Sequence, residues 1–364
     1  MTSALLKIAA IVFLTTGCVS FPEAPAPTSA PALRDGHFVS FDGAALAFTR
    51  WGVKDPDQDK SAAGGKNQSP PSAIILALHG MNDYARTFEG AGPYWAAQAG
   101  IVTYAIDQRG FGRNEFEDDA LDGSWPGAPI LQADLQSAIS ALRNAHPSSP
   151  LYLVGHSMGA AVILSAAGDA PLDVDGVVLA APAVWGGSQL PLLYRLSANI
   201  AAVIAPRKTL TGARAGRQAT DNIEVLRAMA EDPYIITETR VKSVLGVVRL
   251  MGAAYGASKR IGGNILLLYG ENDQIIPDKP IERTARRLCG DVEFRRYEQG
   301  WHLLFRDYQA RAVWRDVADW IRQKNAAGSG KGMAPAAFVC SDTTTAVASG
   351  VAAPRALAKG RLGE

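Results

Sequence analysis

The chain is poor in the residues from which metal centres, disulfide scaffolds and polyanion-binding surfaces are built. It has three cysteines in 364 residues, and none stands at metal-ligand spacing from another cysteine or a histidine. Neither a zinc site nor a disulfide framework is expected. The net charge of +1 supplies no excess of positive charge for a nucleic-acid partner. No long block of like charge and no internal repeat occurs. No apolar run reaches the roughly 20 residues that a membrane-spanning helix needs. Only five histidines are present, at positions 37, 79, 146, 156 and 302, so candidates for proton transfer are few. A hydrophobic content of 48% is enough for a full-size core.

Against this background one stretch stands out. Leu151-Tyr-Leu-Val154 is an apolar run that breaks into Gly155-His-Ser-Met-Gly159, and a helix-compatible run follows at 160–167. This is G-x-S-x-G in a strand–turn–helix setting. The turn is so sharp that a Cβ on either side of the serine would collide with neighbouring backbone, hence the two glycines. Such a turn lifts the Ser157 hydroxyl clear of a sheet and aims a helix N-terminus at it.

A serine nucleophile needs a base, and in this setting the chain order is serine, acid, histidine. His302 is the only histidine after Ser157. It lies in Gly300-Trp-His302, a loop between an expected strand and an expected helix. The acid should end a strand between the two. Residues 265–269 form a short apolar run, followed by Gly270-Glu-Asn-Asp273. Asp273 is the choice, since a carboxylate there would orient the imidazole and stabilise its protonated form. Glu271, expected to point away, and Asp278, expected to start a helix after Pro277, are the rivals. The oxyanion of the acyl intermediate needs backbone donors. One is the N–H of Met158. The other is the N–H of Met81, in the turn Leu78-His-Gly-Met81 that ends the strand at 74–78. His79 is read as a buttress of that turn. Asp107-Gln-Arg-Gly-Phe-Gly112 lacks the lysine and spacing of a phosphate-binding loop, and Arg109 is expected to pair with loop carboxylates.

The ends of the chain have their own character. Lys7 precedes an apolar run at 8–14, and Gly17-Cys18 follows. The run suits a signal peptide, and Gly-Cys at this point resembles a bacterial lipoprotein cleavage site. That resemblance implies removal of residues 1–17, lipidation of Cys18, and residence in the bacterial cell envelope on a membrane. Residues 18–35, rich in Pro and Ala, read as an extended tether. Cys289 is expected to be simply buried at a helix end. Residues 326–364, rich in Ala, Gly, Ser and Thr, are expected to be disordered.

Between these ends, expected strands at 37–42, 44–51, 74–78, 101–106, 151–154, 177–180, 265–269 and 292–297 alternate with helices after the first pair. The alternation gives an α/β class and a mostly parallel, doubly wound, eight-stranded sheet, with residues 36–182 and 258–325 as its core. Residues 183–257, after the sixth strand, are too long for a simple crossover and read as a helical cap. One stripe in it, Leu193, Leu196, Ile200 and Ile204, suits an acyl-channel wall, a membrane-facing surface or core packing. A second, Val241, Leu245, Val248 and Met251, suits packing.

Taken together, Leu78-His-Gly-Met81, Asp107-Gln-Arg-Gly-Phe-Gly112, Gly155-His-Ser-Met-Gly159, Gly270-Glu-Asn-Asp273 and Gly300-Trp-His302 resemble the α/β-hydrolases of the monoacylglycerol lipase and lysophospholipase type, which are grouped with certain serine peptidases. Ala219-Thr-Asp-Asn-Ile-Glu-Val-Leu226 with Glu231-Asp-Pro233 resembles that family's lid. The resemblance implies a serine hydrolase without cofactor or metal, acting on single-chain lipid esters. An amidase or aminopeptidase on the same triad, with Glu224, Glu231 or Asp232 holding a substrate amine, is the competing expectation; a non-catalytic envelope lipoprotein is another. One departure stands out. After His79-Gly80 the family carries a Gly-Glu-His-like continuation, whereas this chain has Met81-Asn-Asp-Tyr84, so a differently shaped oxyanion loop is expected.

Overall fold

The computed structural model describes residues 19–52, 70–114, 124–211 and 216–329. Cys18 with residues 1–17, most of the 55–72 insertion and residues 330–364 lie outside the described residues.

The chain opens with β1 (Ala32–Leu33), β2 (His37–Val39) and β3 (Ala45–Trp51). Then come β4 (Ala73–Leu78), α1 (Ala91–Ala99), β5 (Ile101–Ile106), α2 (Ala128–Ala145), β6 (Leu151–His156), α3 (Met158–Asp169) and β7 (Gly176–Ala180). After β7 the chain forms α4 (Leu192–Ile204), β8 (Thr209–Thr211), α5 (Ile223–Glu231), β9 (Glu238–Arg240) and α6 (Val241–Ala257). It closes with β10 (Asn264–Gly270), α7 (Asp278–Ala285), β11 (Asp291–Tyr297) and α8 (Ala310–Lys324). The main sheet runs β1-β2-β3-β5-β4-β6-β7-β10-β11. Its first three strands pair antiparallel, and the six from β5 to β11 pair parallel.

The central strands β4, β5 and β6 are buried along their whole length, which is why they read as continuous apolar runs without alternation. Their alternate residues feed two cores. Ile74, Leu76 and Leu78 join α2, α3 and α6 on one face, while Ala73, Ile75 and Ala77 join Trp95 of α1 and Val313, Val317 and Trp320 of α8 on the other. This two-sided cover holds the carboxyl ends of the strands in one plane, and the loops that carry Ser157, Asp273 and His302 leave from those ends.

Three expectations need correction. The sheet has nine strands rather than eight, because Ala32 and Leu33 pair with Val39 and Phe38; a strand of two residues carries no periodic pattern to read. The segment expected as a free tether is docked from Val19 onward. Phe21 packs between Lys242 and Arg249, Arg249 donates to the Val19 carbonyl, and the Thr28 and Ser29 N–H groups donate to the Phe41 carbonyl. Its Pro/Ala composition hid one aromatic anchor. Within the segment 183–257, α6 packs along α3 and its buried residues join the same core. Finally, Cys289 is half-buried in the turn after α7 and takes part in a disulfide. The other two cysteines of the chain, Cys18 and Cys340, lie outside the described residues.

The two apolar stripes part ways. Val241, Leu245 and Met251 are buried, as packing requires. In α4, by contrast, Leu193, Leu196, Ile200 and Ile204 are all exposed, together with Leu192, Tyr194 and Val203. Only Ala202 of α4 is buried, against Val241 and Leu245. Among the described residues no helix is long and apolar enough to cross a membrane.

Candidate active site

Ser157 sits between β6 and α3 with φ 51° and ψ −109°, a left-handed conformation that L side chains rarely adopt. The surroundings enforce it. A Cβ on Gly155 would lie 2.6 Å from Ala160 N and Cα, and one on Gly159 would lie 2.3 Å from the Leu78 carbonyl oxygen. The Ser157 N–H donates to the Ala180 carbonyl at 2.9 Å, and its own carbonyl accepts from Ala183 N–H at 3.0 Å.

The Ser157 hydroxyl lies 3.0 Å from His302 Nε2, and His302 Nδ1 lies 2.8 Å from Asp273 Oδ2. All three residues are buried. The other carboxylate oxygen, Asp273 Oδ1, accepts from the N–H groups of Ile275 at 2.7 Å and Ile276 at 2.9 Å. A carboxylate only accepts, so His302 Nδ1 carries the proton and Nε2 presents a lone pair to the serine hydroxyl. The rivals are engaged elsewhere. Glu271 pairs with Arg296, and the Asp278 side chain accepts from Lys279 N–H at the start of α7.

Around this line the turn after β4 is held by His79. Its Nδ1–H donates to the Gly80 carbonyl at 2.7 Å, and its Nε2 accepts from Gln108 N–H at 2.9 Å. Burial pushes the His79 pKa down, so it stays neutral. A Cβ on Gly80 would come within 3.4 Å of Ser157 Cβ, which brings this turn against the nucleophile. Among the described residues no acceptor takes the Met81 or Met158 N–H. Both therefore remain available to an incoming oxygen. Arg109 is taken up by loop carboxylates, in a fork to Asp134 and a further bond to Asp42.

Several residues that support the site escaped the sequence reading. His156 was given no role of its own, yet its Nε2–H donates to the His302 carbonyl at 2.9 Å. Burial, followed by the nearby His302, lowers its pKa to about 3, so it is a neutral strut between elbow and base. A buried ion pair joins Asp83 to Arg306, whose guanidinium also donates to Thr87 Oγ1. Burial alone would raise the Asp83 pKa, but the Arg306 charge and hydrogen bond outweigh it and hold the carboxyl low. The pair ties the turn after β4 to the His302 loop, and its separation in sequence left no local pattern.

Asp307 holds the same loop from the other side, accepting from Trp301 N–H at 3.0 Å. Burial, then the charge of Asp221, raises its pKa to about 7 against partial relief from that N–H. Between its ordinary value and about 7 the folded protein therefore keeps a proton that the unfolded chain has lost. Stability should fall as pH rises through that window. Asp307→Asn keeps an oxygen for Trp301 and cannot ionise. Its Tm relative to the wild type is expected to be higher at pH 8 than at pH 5; an equal difference at both would refute the coupling. Among the described residues no group of three or more His, Cys, Asp or Glu is placed to hold a metal ion.

Residues 69–309 match the family described as serine aminopeptidase, S33. The chain belongs to this family of α/β-hydrolases. It is similar to a monoacylglycerol lipase of Mycolicibacterium smegmatis, 24% identical over 289 residues that cover 78% of this chain and 95% of the relative. It is also similar to a monoglyceride lipase of Mus musculus, 24% identical over 86% of this chain and 100% of the relative. Among solved structures, the monoacylglycerol lipase of Paleococcus ferrophilus superposes with a TM-score of 0.61 at 20% identity, over 77% of this chain and 99% of the other. A soluble variant of the Saccharomyces cerevisiae monoglyceride lipase, in complex with a substrate analog, gives 0.64 at 18% identity, over 84% and 99%. The fold of this S33 member is thus that of lipases and esterases, and the protein is a serine hydrolase of the lipase/esterase family.

Proposed function

We propose that this S33 member hydrolyses carboxylic esters of single acyl chains, of the monoacylglycerol or lysophospholipid type, through Ser157, His302 and Asp273. The observation that carries the reading is the unbroken line from Ser157 Oγ through His302 to Asp273 Oδ2, with gaps of 3.0 and 2.8 Å. His302 Nε2 takes the hydroxyl proton as Ser157 Oγ attacks the ester carbonyl. Asp273 stabilises the imidazolium, and the Met81 and Met158 N–H groups bind the oxyanion. The protonated His302 then gives its proton to the leaving alcohol. Water, deprotonated by the same imidazole, cleaves the acyl-enzyme, and no cofactor enters.

Two features favour a lipid ester over an amine-bearing substrate. The cap carries an exposed apolar helix face, suited to acyl chains or a lipid surface. The cap acids that an aminopeptidase would need are otherwise occupied or solvated. Asp232 accepts from Tyr84 Oη and pairs with Arg86, and Glu224 pairs with Arg227 in the open. The names of the similar proteins agree with the ester reading. We further propose that Cys18 is lipidated and holds the protein on a bacterial envelope membrane. The docked Val19 and Phe21 would then place that anchor beside α4 and its apolar face. Cys18→Ser should move the protein from the membrane fraction to the soluble one, and its retention in membranes would refute the anchor.

The test of substrate class is kcat/KM across monoacylglycerols from acetyl to palmitoyl, with an aminoacyl anilide alongside and the Ser157→Ala protein as blank. A rise toward long chains is expected. A maximum at acetyl would make the protein a short-chain esterase, and a dominant anilide rate would make it a peptidase.

A further inference from the structure

The loop that departs from the family's pattern, Met81-Asn-Asp-Tyr84, is also the loop that the cap grips. Asn82 has φ 64°, in the left-handed region, which asparagine enters more readily than most residues with a Cβ but less freely than glycine. Its surroundings are the cap. The Asn82 carbonyl accepts from Ile236 N–H at 3.1 Å, and Asn82 Nδ2 donates to Thr239 Oγ1 at 2.6 Å. On the same loop, Tyr84 Oη donates to Asp232 Oδ2 at 2.8 Å, and Arg86 Nη1 reaches the same oxygen at 2.5 Å. The Tyr84 and Tyr234 rings lie against each other at 5.6 Å. Asp232 is held in turn by Tyr234 N–H, at 2.9 Å on Oδ1. Cap residues 232–239 thus meet residues 82–86 at side-chain and backbone level. Met81 lies between this grip and Gly80, which abuts His156 and Ser157.

We propose that cap residues Asp232, Ile236 and Thr239 are positioning residues for the oxyanion hole: Ile236 and Thr239 hold Asn82 in its left-handed conformation, Asp232 holds Tyr84 and Arg86 on the same loop, and together they aim the Met81 N–H at the developing charge. The inference rests on the reading of Met81 as an oxyanion donor. It makes the closed cap a condition for transition-state stabilisation as well as a cover for the acyl chain. When the cap lifts, Asn82 loses the two contacts that select its left-handed conformation, and the donor turns away.

The effect should fall on the transition state and not on substrate binding. For Thr239→Val and Asp232→Ala, kcat is expected to fall about tenfold with KM within about threefold, since a misaimed oxyanion donor costs catalysis up to about 10²–10³-fold. The affinity for a long-chain trifluoromethyl ketone, whose Ser157 adduct carries an oxyanion, should fall in parallel with kcat. Asn82→Ala, with a Cβ and no amide, should lose more than Asn82→Gly, which adopts the left-handed conformation freely. In the Asn82→Gly background, Thr239→Val should have no further effect, because the hydrogen bond it removes is already gone. Unchanged kcat in Thr239→Val and Asp232→Ala, or a loss shared equally by kcat and ketone-independent thermal stability, overturns the proposal. Ser157→Ala separates the two levels: if it abolishes hydrolysis while the cap variants keep full kcat, only the positioning role fails. If it leaves hydrolysis intact, the reading of the site itself fails.

Discussion

Ser157→Ala is expected to abolish ester hydrolysis, with kcat falling by about 10⁵–10⁶-fold while the folded protein persists. No other described hydroxyl lies against His302 Nε2, so nothing can take over the attack. The residual rate should exceed that of water alone, because the Met81 and Met158 donors and the His302–Asp273 pair survive the change. The backbone at this position makes a second reading possible. Ser157 holds a left-handed conformation, and alanine keeps the Cβ that makes it costly. Ser157→Gly removes that Cβ and should raise the Tm, since strain at such positions is about 1–3 kcal/mol. A protein that is inactive and more thermostable as glycine, and inactive and equally stable as alanine, would mark Ser157 as a site where conformational strain serves the reaction. Steady-state hydrolysis of a monoacylglycerol and a thermal melt decide it; hydrolysis retained in Ser157→Ala would overturn the proposed mechanism.

Asp273→Asn is expected to lower kcat by about 10⁴-fold with little change in fold, because it reverses the tautomer of His302. The direction follows from the carboxylate's other partners. Asp273 Oδ1 already receives two N–H groups, from Ile275 and Ile276, so the asparagine oxygen must stay on that side. Its NH₂ then faces His302 Nδ1, 2.8 Å away in the wild type. Two donors cannot share that line. The imidazole proton moves to Nε2, which then faces Ser157 as a donor and cannot accept its proton. KM should change little, since Asp273 lies behind the histidine and away from any acyl chain. The imidazole N–H resonances of His302 offer a direct check: a proton on Nδ1 in the wild type and on Nε2 in the variant. Full activity in Asp273→Asn would require another acid, and Glu271 and Asp278 are too engaged with Arg296 and Lys279 to serve.

What could be read in advance was what local sterics and chain order dictate. The elbow was legible because the close approach of Ala160 and the Leu78 carbonyl leaves only glycine at 155 and 159, and such exclusion is written in the residues themselves. The strands β4, β5 and β6 were legible because burial on both faces demands unbroken apolar runs. Ser157, Asp273 and His302 could be named before the fold because each follows a recognisable strand and only one histidine comes late enough. The missed parts lack any such pattern. The Asp83–Arg306 pair joins residues 223 apart in sequence, and Asn82 and Thr239 are 157 apart. Polar partners at that range carry no periodicity and become visible only when the sheet brings their loops together. The docking of residues 19–29 was hidden for a related reason: one aromatic ring between two cations and a few backbone hydrogen bonds to distant residues carry it, against a composition that reads as a linker.

The alternation of the parallel strands with their helices, the nucleophile elbow and the three residues at the strand ends were written in the chain, because these depend on backbone sterics and local apolar patterning. Which face of α4 stays open, what His156 and Asp307 support, and how the cap grips the loop beside Met81 emerge only when the folded elements meet. Those outcomes depend on long-range polar contacts and on competition for burial between elements, which no local stretch of residues encodes.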